Sequence, residues 1–133
     1  MKKTLCILAL LLTAVTTYGQ ESASMKTFDP AFVHTVFFWL NKPDSQPDRQ
    51  QFEAALKKFL GKSAFAKTNF IGTPPKASRD VVDGSFTYSL VVSFESAEAQ
   101  EAYQKEQPHL DFIEEASHLW KKVIVYDSKG IGE

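Results

Sequence analysis

Between Ala31 and Leu40 the chain reads A-F-V-H-T-V-F-F-W-L, a run without a charged side chain in which only His34 and Thr35 are polar. β-Branched and aromatic residues dominate it, the composition of a strand covered on both faces. Its alternating sets are Phe32, His34, Val36, Phe38, Leu40 and Val33, Thr35, Phe37, Trp39. Neither set suits water. Helices of the same chain can cover one; the other needs a second cover.

The pattern then changes period. Asn41 to Pro47 breaks the strand with two prolines, and Ser45 with Asp48 three residues on starts a helix that tolerates Pro47 in its first turn. Phe52, Ala55, Leu56, Phe59 and Leu60 form one apolar stripe. Lys57 and Lys58 suit its C-terminal end, and Gly61 is expected to stop it. A second strand is expected over Lys67 to Gly72, a loop over Pro74 to Asp80, and a turn or bulge at Asp83-Gly84. Ser85 to Phe94 alternates clearly, with Phe86, Tyr88, Leu90, Val92 and Phe94 on one face. Ser96 caps a helix through Ala99, Ala102 and Tyr103, which Gln107-Pro108 interrupts. A further helical piece carries His109, Phe112, Ile113, Ala116, Leu119 and Trp120. Val123 to Tyr126 is the last strand, and Asp127 to Glu133 reads as polar tail.

The order is β-α-β-β-α-β. Two such halves with right-handed crossovers make an α+β, ferredoxin-like fold: an antiparallel four-stranded sheet with the helices on one face. The opposite face then exposes Phe and Val side chains, a patch of the kind that marks an interface. A symmetric homodimer with a barrel-like centre would bury it, and would make the surroundings of His34 a space enclosed by the dimer. A monomer with an apolar ligand-binding face is the competing arrangement.

The N-terminus and the charge narrow the setting. Met1-Lys2-Lys3 followed by an apolar run to Leu12 reads as a secretory signal peptide, with cleavage after Gly19. A retained signal anchor and initiation at Met25 are the alternatives. The organisation is thus a signal peptide over 1–19, a polar leader over 20–29, one domain over 30–128 and a tail over 129–133. The expected location is periplasmic or secreted, with no membrane association after cleavage. Cys6, the single cysteine, lies in the signal, so the mature chain of about 110 residues has no disulfide framework or thiolate metal site. The signal peptide carries two of the 15 Lys+Arg and none of the 16 Asp+Glu, leaving a formal charge of −3 on the mature chain. That balance lacks the basic footprint of a nucleic-acid partner.

Three histidines are the candidate chemistry. His34 lies in a buried strand, on the same set as Phe32 and Val36, and reads either as a core histidine with one satisfied hydrogen bond or as a pocket residue. His109 follows Pro108 at a helix start, where dipole and burial both lower its pKa, so a neutral imidazole there suits a general base. The plainer reading is a polar residue at a helix entry. His118 falls about half a turn away from His109 and is expected in solvent, which argues against a metal held by the three. Tyr88 points with the apolar face of its strand and Tyr103 with the helix stripe; buried tyrosines commonly just find one hydroxyl partner. No phosphate loop or hydrolase motif is present, and no cofactor is expected.

These residues resemble the stress-responsive A/B barrel domain (Dabb) family over roughly Phe32 to Asp127. The markers are V-H-T-V-F-F-W-L at 33–40, Y-S-L-V-V-S-F-E-S at 88–96, A-Y at 102–103, P-H at 108–109 and L-W-K-K-V-I-V-Y-D at 119–127. The resemblance implies a dimeric α/β barrel. Its plant member olivetolic acid cyclase closes a tetraketide by aldol chemistry without a cofactor. By that likeness His109 is the general base, Tyr103 its partner, and His34 or Tyr88 the group that holds the substrate oxygen; Tyr88 stands where the cyclase has histidine. Three functions follow: a binder of a small apolar or carbonyl-containing molecule in a His/Tyr-lined cavity, a cofactor-independent cyclase, isomerase or lyase, and a haem-handling or monooxygenase relative.

Overall fold

The computed structural model describes residues 31–77 and 79–131. The segments read as signal peptide (1–19) and leader (20–29) lie outside the described residues. The elements are β1 (Phe32–Leu40), α1 (Gln46–Lys62), β2 (Thr68–Gly72), β3 (Tyr88–Phe94), α2 (Ala97–Lys105), α3 (Gln107–Ala116), a 3-10 turn (Ser117–Leu119) and β4 (Trp120–Lys129). The strands form one antiparallel sheet in the order β2-β3-β1-β4. This is the expected ferredoxin-like α+β architecture.

Burial follows the two periods read from the chain. His34, Val36, Phe38 and Leu40 of β1 are buried, as are Tyr88, Leu90, Val92 and Phe94 of β3. Against them α1 sets Phe52, Ala55, Leu56, Phe59 and Leu60. Aromatic rings fill the middle of this layer. Phe52 stacks on Tyr88 at 4.9 Å between centroids and meets Phe38 edge-on at 5.0 Å. Phe112 stacks on Phe59 at 5.4 Å and on Trp120 at 5.6 Å. Such pairs add to the burial of large apolar surfaces.

Four boundaries differ from the sequence-based expectation, each for a local reason. α1 passes Gly61, which has no left-handed backbone here, and ends one residue later, where Ser63 donates its amide to Phe59 O at 3.0 Å. β3 begins at Tyr88, not Ser85. Thr87 stands in for the ladder, donating its amide to Phe38 O at 2.7 Å and accepting from Leu40 N through Oγ1 at 3.1 Å. Phe86 thereby crosses to the other face, against Phe37 at 4.9 Å. α3 stops at Ala116 and not near Trp120. Asn41 takes the Leu119 carbonyl with its amide at 2.8 Å and the His118 carbonyl with its side chain at 2.9 Å, drawing the chain out into β4. β4 runs on to Lys129, so Asp127, expected in a tail, is a strand residue.

Candidate functional site

β1 presents His34 toward the helices, between Phe94 at 6.4 Å and Tyr103 at 6.0 Å. The antiparallel register sets Asp127 of β4 directly beside it. His34 Nδ1 donates to Asp127 Oδ1 at 2.6 Å. A carboxylate on Nδ1 fixes the tautomer and leaves Nε2 as the nitrogen available to a ligand. The Gln100 amide of α2 lies 3.5 Å from the same Nδ1, too far to compete.

α2 and α3 bring the other two groups. Tyr103 packs on Phe59 and Phe94 at 5.0 and 4.9 Å and is 1 % exposed. Burial, reinforced by the Glu106 charge, pushes its phenol well above the ordinary value, so it stays a hydrogen-bond donor at neutral pH. His109, in the first turn of α3, sits 5.5 Å from Tyr103 and 5.2 Å from Phe59 between ring centroids. Burial holds its pKa below the ordinary value, against the Gln104 backbone and Glu106, which favour the proton. Its Nδ1 is buried without a hydrogen-bond partner among the described residues.

His34, Tyr103 and His109 line one cavity of about 310 Å³. Its remaining walls include Val36, Phe38, Leu90, Phe112 and Trp120, and it runs out to Val123 and Val125 on β4. These three polar groups and Gln104 in an otherwise apolar hollow of this size are the usual construction of a small-molecule site. A neutral imidazole, a phenol donor and a carboxylate-fixed imidazole can together grip a carbonyl or hydroxyl oxygen, or accept a proton from a carbon beside it.

The structure therefore joins three of the four site residues read from the sequence and separates the fourth. Tyr88 is turned toward α1, not into the cavity. Its hydroxyl donates to Glu53 Oε1 at 2.6 Å, and the Arg49 guanidinium lies 4.9 Å from its ring centroid. Burial and that bond push its pKa up to about 12. Tyr103 meets His109 through ring packing; no hydrogen bond joins them among the described residues. The cavity lies on the helix side of the sheet, since β1 turns His34 inward, away from the open face on which the sequence suggested a space enclosed by two chains. His118 is exposed on the 3-10 turn, apart from the cavity. No group of three His, Cys, Asp or Glu suited to a metal converges among the described residues.

Asp127, Gln100 and Glu106 were not legible as site residues. Asp127 had a signal. Extending the alternation of Val123 and Val125 by one step places it on their face, the face of β4 that turns toward the cavity. Gln100 lies three residues before Tyr103 on the same helical stripe.

Burial of His109 has a measurable consequence. In the unfolded chain its imidazole takes a proton near the ordinary value of 6.5, whereas the folded ring resists until the pH is lower. Between those two values the unfolded state binds the extra proton, so stability falls as the pH drops below about 6.5 and levels off beneath the folded pKa. Urea midpoints taken from pH 7.5 to 5 are expected to show that decline. His109→Gln is expected to reduce it; an undiminished decline would place its origin elsewhere.

The fold finds counterparts among known proteins. The family model for the stress-responsive A/B barrel domain matches residues 32–129. A Dabb-family protein with a ferredoxin-like fold from Mesorhizobium loti has a TM-score of 0.65 at 17% identity, covering 78% of this chain and 100% of its own. The hydroxynitrile lyase of Passiflora edulis has a TM-score of 0.64 at 24% identity, covering 76% of this chain and 94% of its own. A dimeric ferredoxin-like protein from Thermobifida fusca has a TM-score of 0.59 at 16% identity, covering 74% and 89%. No match is found among curated proteins. At these identities the structural likenesses speak for the fold, while the family model spans every element from β1 to β4: the chain belongs to the stress-responsive A/B barrel domain family.

Proposed function

We propose that this chain forms an exported homodimer, each protomer of which binds a small, mostly apolar molecule carrying a carbonyl or hydroxyl group. The observation that carries the reading is the convergence of His34, Tyr103 and His109 on one apolar cavity of about 310 Å³. Export is supported by the basic start and apolar run from Met1 to Leu12. Pairing is supported by the open sheet face. Phe70 and Tyr126 there are 61 % and 59 % exposed, with Phe37, Phe86 and Ile124 beside them. The similar Thermobifida fusca protein is dimeric.

A second reading, cofactor-independent proton transfer at a carbon next to a carbonyl or hydroxyl, is favoured by one observation. Burial keeps His109 neutral, the state a general base needs. A protein of the same fold is a hydroxynitrile lyase.

Native mass spectrometry of the protein purified without its signal, from its own source, reports assembly and retained ligand together. The expected result is a dimer carrying an extra small mass. Isothermal titration with the recovered molecule is then expected to weaken roughly tenfold to a hundredfold in His34→Ala and in His109→Ala, the loss of one buried hydrogen bond in each case. Unchanged affinity in both variants would remove the cavity as the site. Turnover that vanishes in folded His109→Ala selects the enzyme reading, and binding without turnover selects the binder.

A further inference from the structure

A second cleft, of about 320 Å³, lies at the C-terminal end of β1. It is bounded by Leu40, by the loop that leads into α1, by both ends of the β2–β3 loop and by the start of β4. It shares no lining residue with the histidine cavity. Pro43, Asp44 and Thr73 on its rim are exposed, and Trp39 and Phe86 separate it from the open sheet face.

Arg49 is the group in this cleft that calls for a reason. It sits in the first turn of α1, the end of a helix that disfavours a cation. It is half-buried, and its guanidinium is held in place. Nη1 donates to Pro43 O at 3.0 Å, and the Tyr88 ring lies 4.9 Å away. Yet Arg49 makes no ion pair among the described residues. The carboxylates near it in the chain are committed elsewhere. Glu53 accepts from the Tyr88 hydroxyl at 2.6 Å and from Lys57 at 3.4 Å. Asp48 accepts from the Ser45 hydroxyl at 2.7 Å. A guanidinium has five N–H donors, so several remain after Pro43 has taken one. A planar cation fixed in advance, with its fork unmatched, is built to receive a carboxylate through two parallel hydrogen bonds.

The rest of the lining suits the same ligand. Lys121 and Asp44 also line the cleft without an ion pair among the described residues. Two cations against one carboxylate leave the cleft one net positive charge. Thr87 is buried, and its hydroxyl, which accepts from Leu40 N at 3.1 Å, retains a proton to donate. Trp39, Leu40 and Phe86 supply apolar wall.

We propose that this cleft is a second binding site, for a molecule that carries a single carboxylate on a small apolar body. Arg49 receives the carboxylate, Lys121 adds charge at the rim, and the apolar wall covers the body. Asp44 sets the selectivity: it opposes a second negative charge, so a multiply charged anion such as phosphate is disfavoured. The site stands independently of the histidine cavity and of any reaction there.

Sodium benzoate is the probe, and the indole NMR signals of the two tryptophans are the readout. Trp39 borders the cleft, its Nε1 donating to Ser85 Oγ at 3.3 Å, and Trp120 lines the histidine cavity. At low ionic strength benzoate is expected to shift the Trp39 signal saturably and to leave Trp120 unmoved. Arg49→Gln is expected to weaken binding roughly tenfold or more, and Lys121→Gln roughly twofold to fivefold. Asp44→Asn is expected to tighten it by a similar factor, roughly twofold to fivefold. Lys76→Gln, on the β2–β3 loop but outside the cleft, is expected to change nothing. Lys121 and Asp44 are exposed, so their variants keep the test decisive if the Arg49→Gln chain does not fold. An unmoved Trp39 signal would overturn the proposal, as would a shift of Trp120 alone. So would a midpoint that ignores Lys121→Gln and Asp44→Asn, or one that responds equally to Lys76→Gln, since diffuse surface charge would then explain it. Inorganic phosphate at matched ionic strength is expected to bind more weakly than benzoate; tighter binding would overturn the assignment to a monocarboxylate. A histidine cavity that proved empty of ligand would leave all of these outcomes unchanged, so the two ideas fail separately.

Discussion

Phe37→Asp is expected to turn the proposed dimer into monomers and to leave the cavity able to bind. Phe37 lies on the face of β1 away from the helices, against Phe86 at 4.9 Å and Tyr126 at 6.1 Å. In a free protomer Phe37 is half-buried, so the new carboxylate would reach water at the cost of the two ring contacts. In a face-to-face pair it would be buried without a partner, and the two-fold symmetry would bury it twice. Each such charge costs several kcal/mol, enough to raise the dissociation constant on the order of a thousandfold. Sedimentation equilibrium against wild type measures this directly. A variant that remained fully dimeric would rule out the open sheet face as the interface. Because the cavity lies on the helix side of the sheet and Phe37 on the other, ligand affinity in the monomeric variant is expected to stay within a few-fold of wild type.

Phe52→Ala is expected to remove roughly 3–5 kcal/mol of stability. Phe52 is fully buried and its ring touches four others: Tyr88 at 4.9 Å, Phe38 at 5.0 Å, and Phe112 and Trp120 each at 6.1 Å between centroids. Truncation leaves a void that these rings, fixed by both the sheet and α3, can only partly close. A small domain holds about 5–15 kcal/mol in total, so the variant would sit near the edge of folding. Urea unfolding checks it as a lower midpoint at unchanged slope. Phe52→Leu keeps most of the volume and is expected to cost about 1.5 kcal/mol or less. A loss under about 1 kcal/mol in Phe52→Ala would contradict the packing of α1 on β1 and β3 described here. Phe112 and Trp120 also wall the cavity, so the alanine variant is expected to bind ligand more weakly even where it folds.

Much of the fold was readable in advance because its information is local. The alternation from Ala31 to Leu40 separated the two faces of β1 without saying which one the helices cover, and the spacing of Phe52 to Leu60 named the buried stripe of α1 residue by residue. The errors fell where a residue's partner is remote. Phe86 fits the alternation of β3, yet Thr87 bonds to β1 through its own side chain and turns Phe86 to the other face. Trp120 fits the helical spacing of α3, yet Asn41 captures the preceding carbonyls and starts a strand there.

The site shows the same division more sharply. The residue types and the order of His34, Tyr103 and His109 are present in the chain, and the period of each element turns them toward one layer. Tyr88 has the same credentials, and the structure gives its hydroxyl to Glu53 across 35 positions of sequence. Asp127 looked like tail until the antiparallel register of β1 and β4 set it against His34, 93 positions away. The sequence by itself determined which elements form and which face of each is apolar, since side-chain periodicity is set by the geometry of neighbouring residues. Only the tertiary structure decided which polar groups meet. Hydrogen bonds and charges act over a few ångströms, and the strand register and helix docking that bring two groups within that distance are settled by the packing of the whole core.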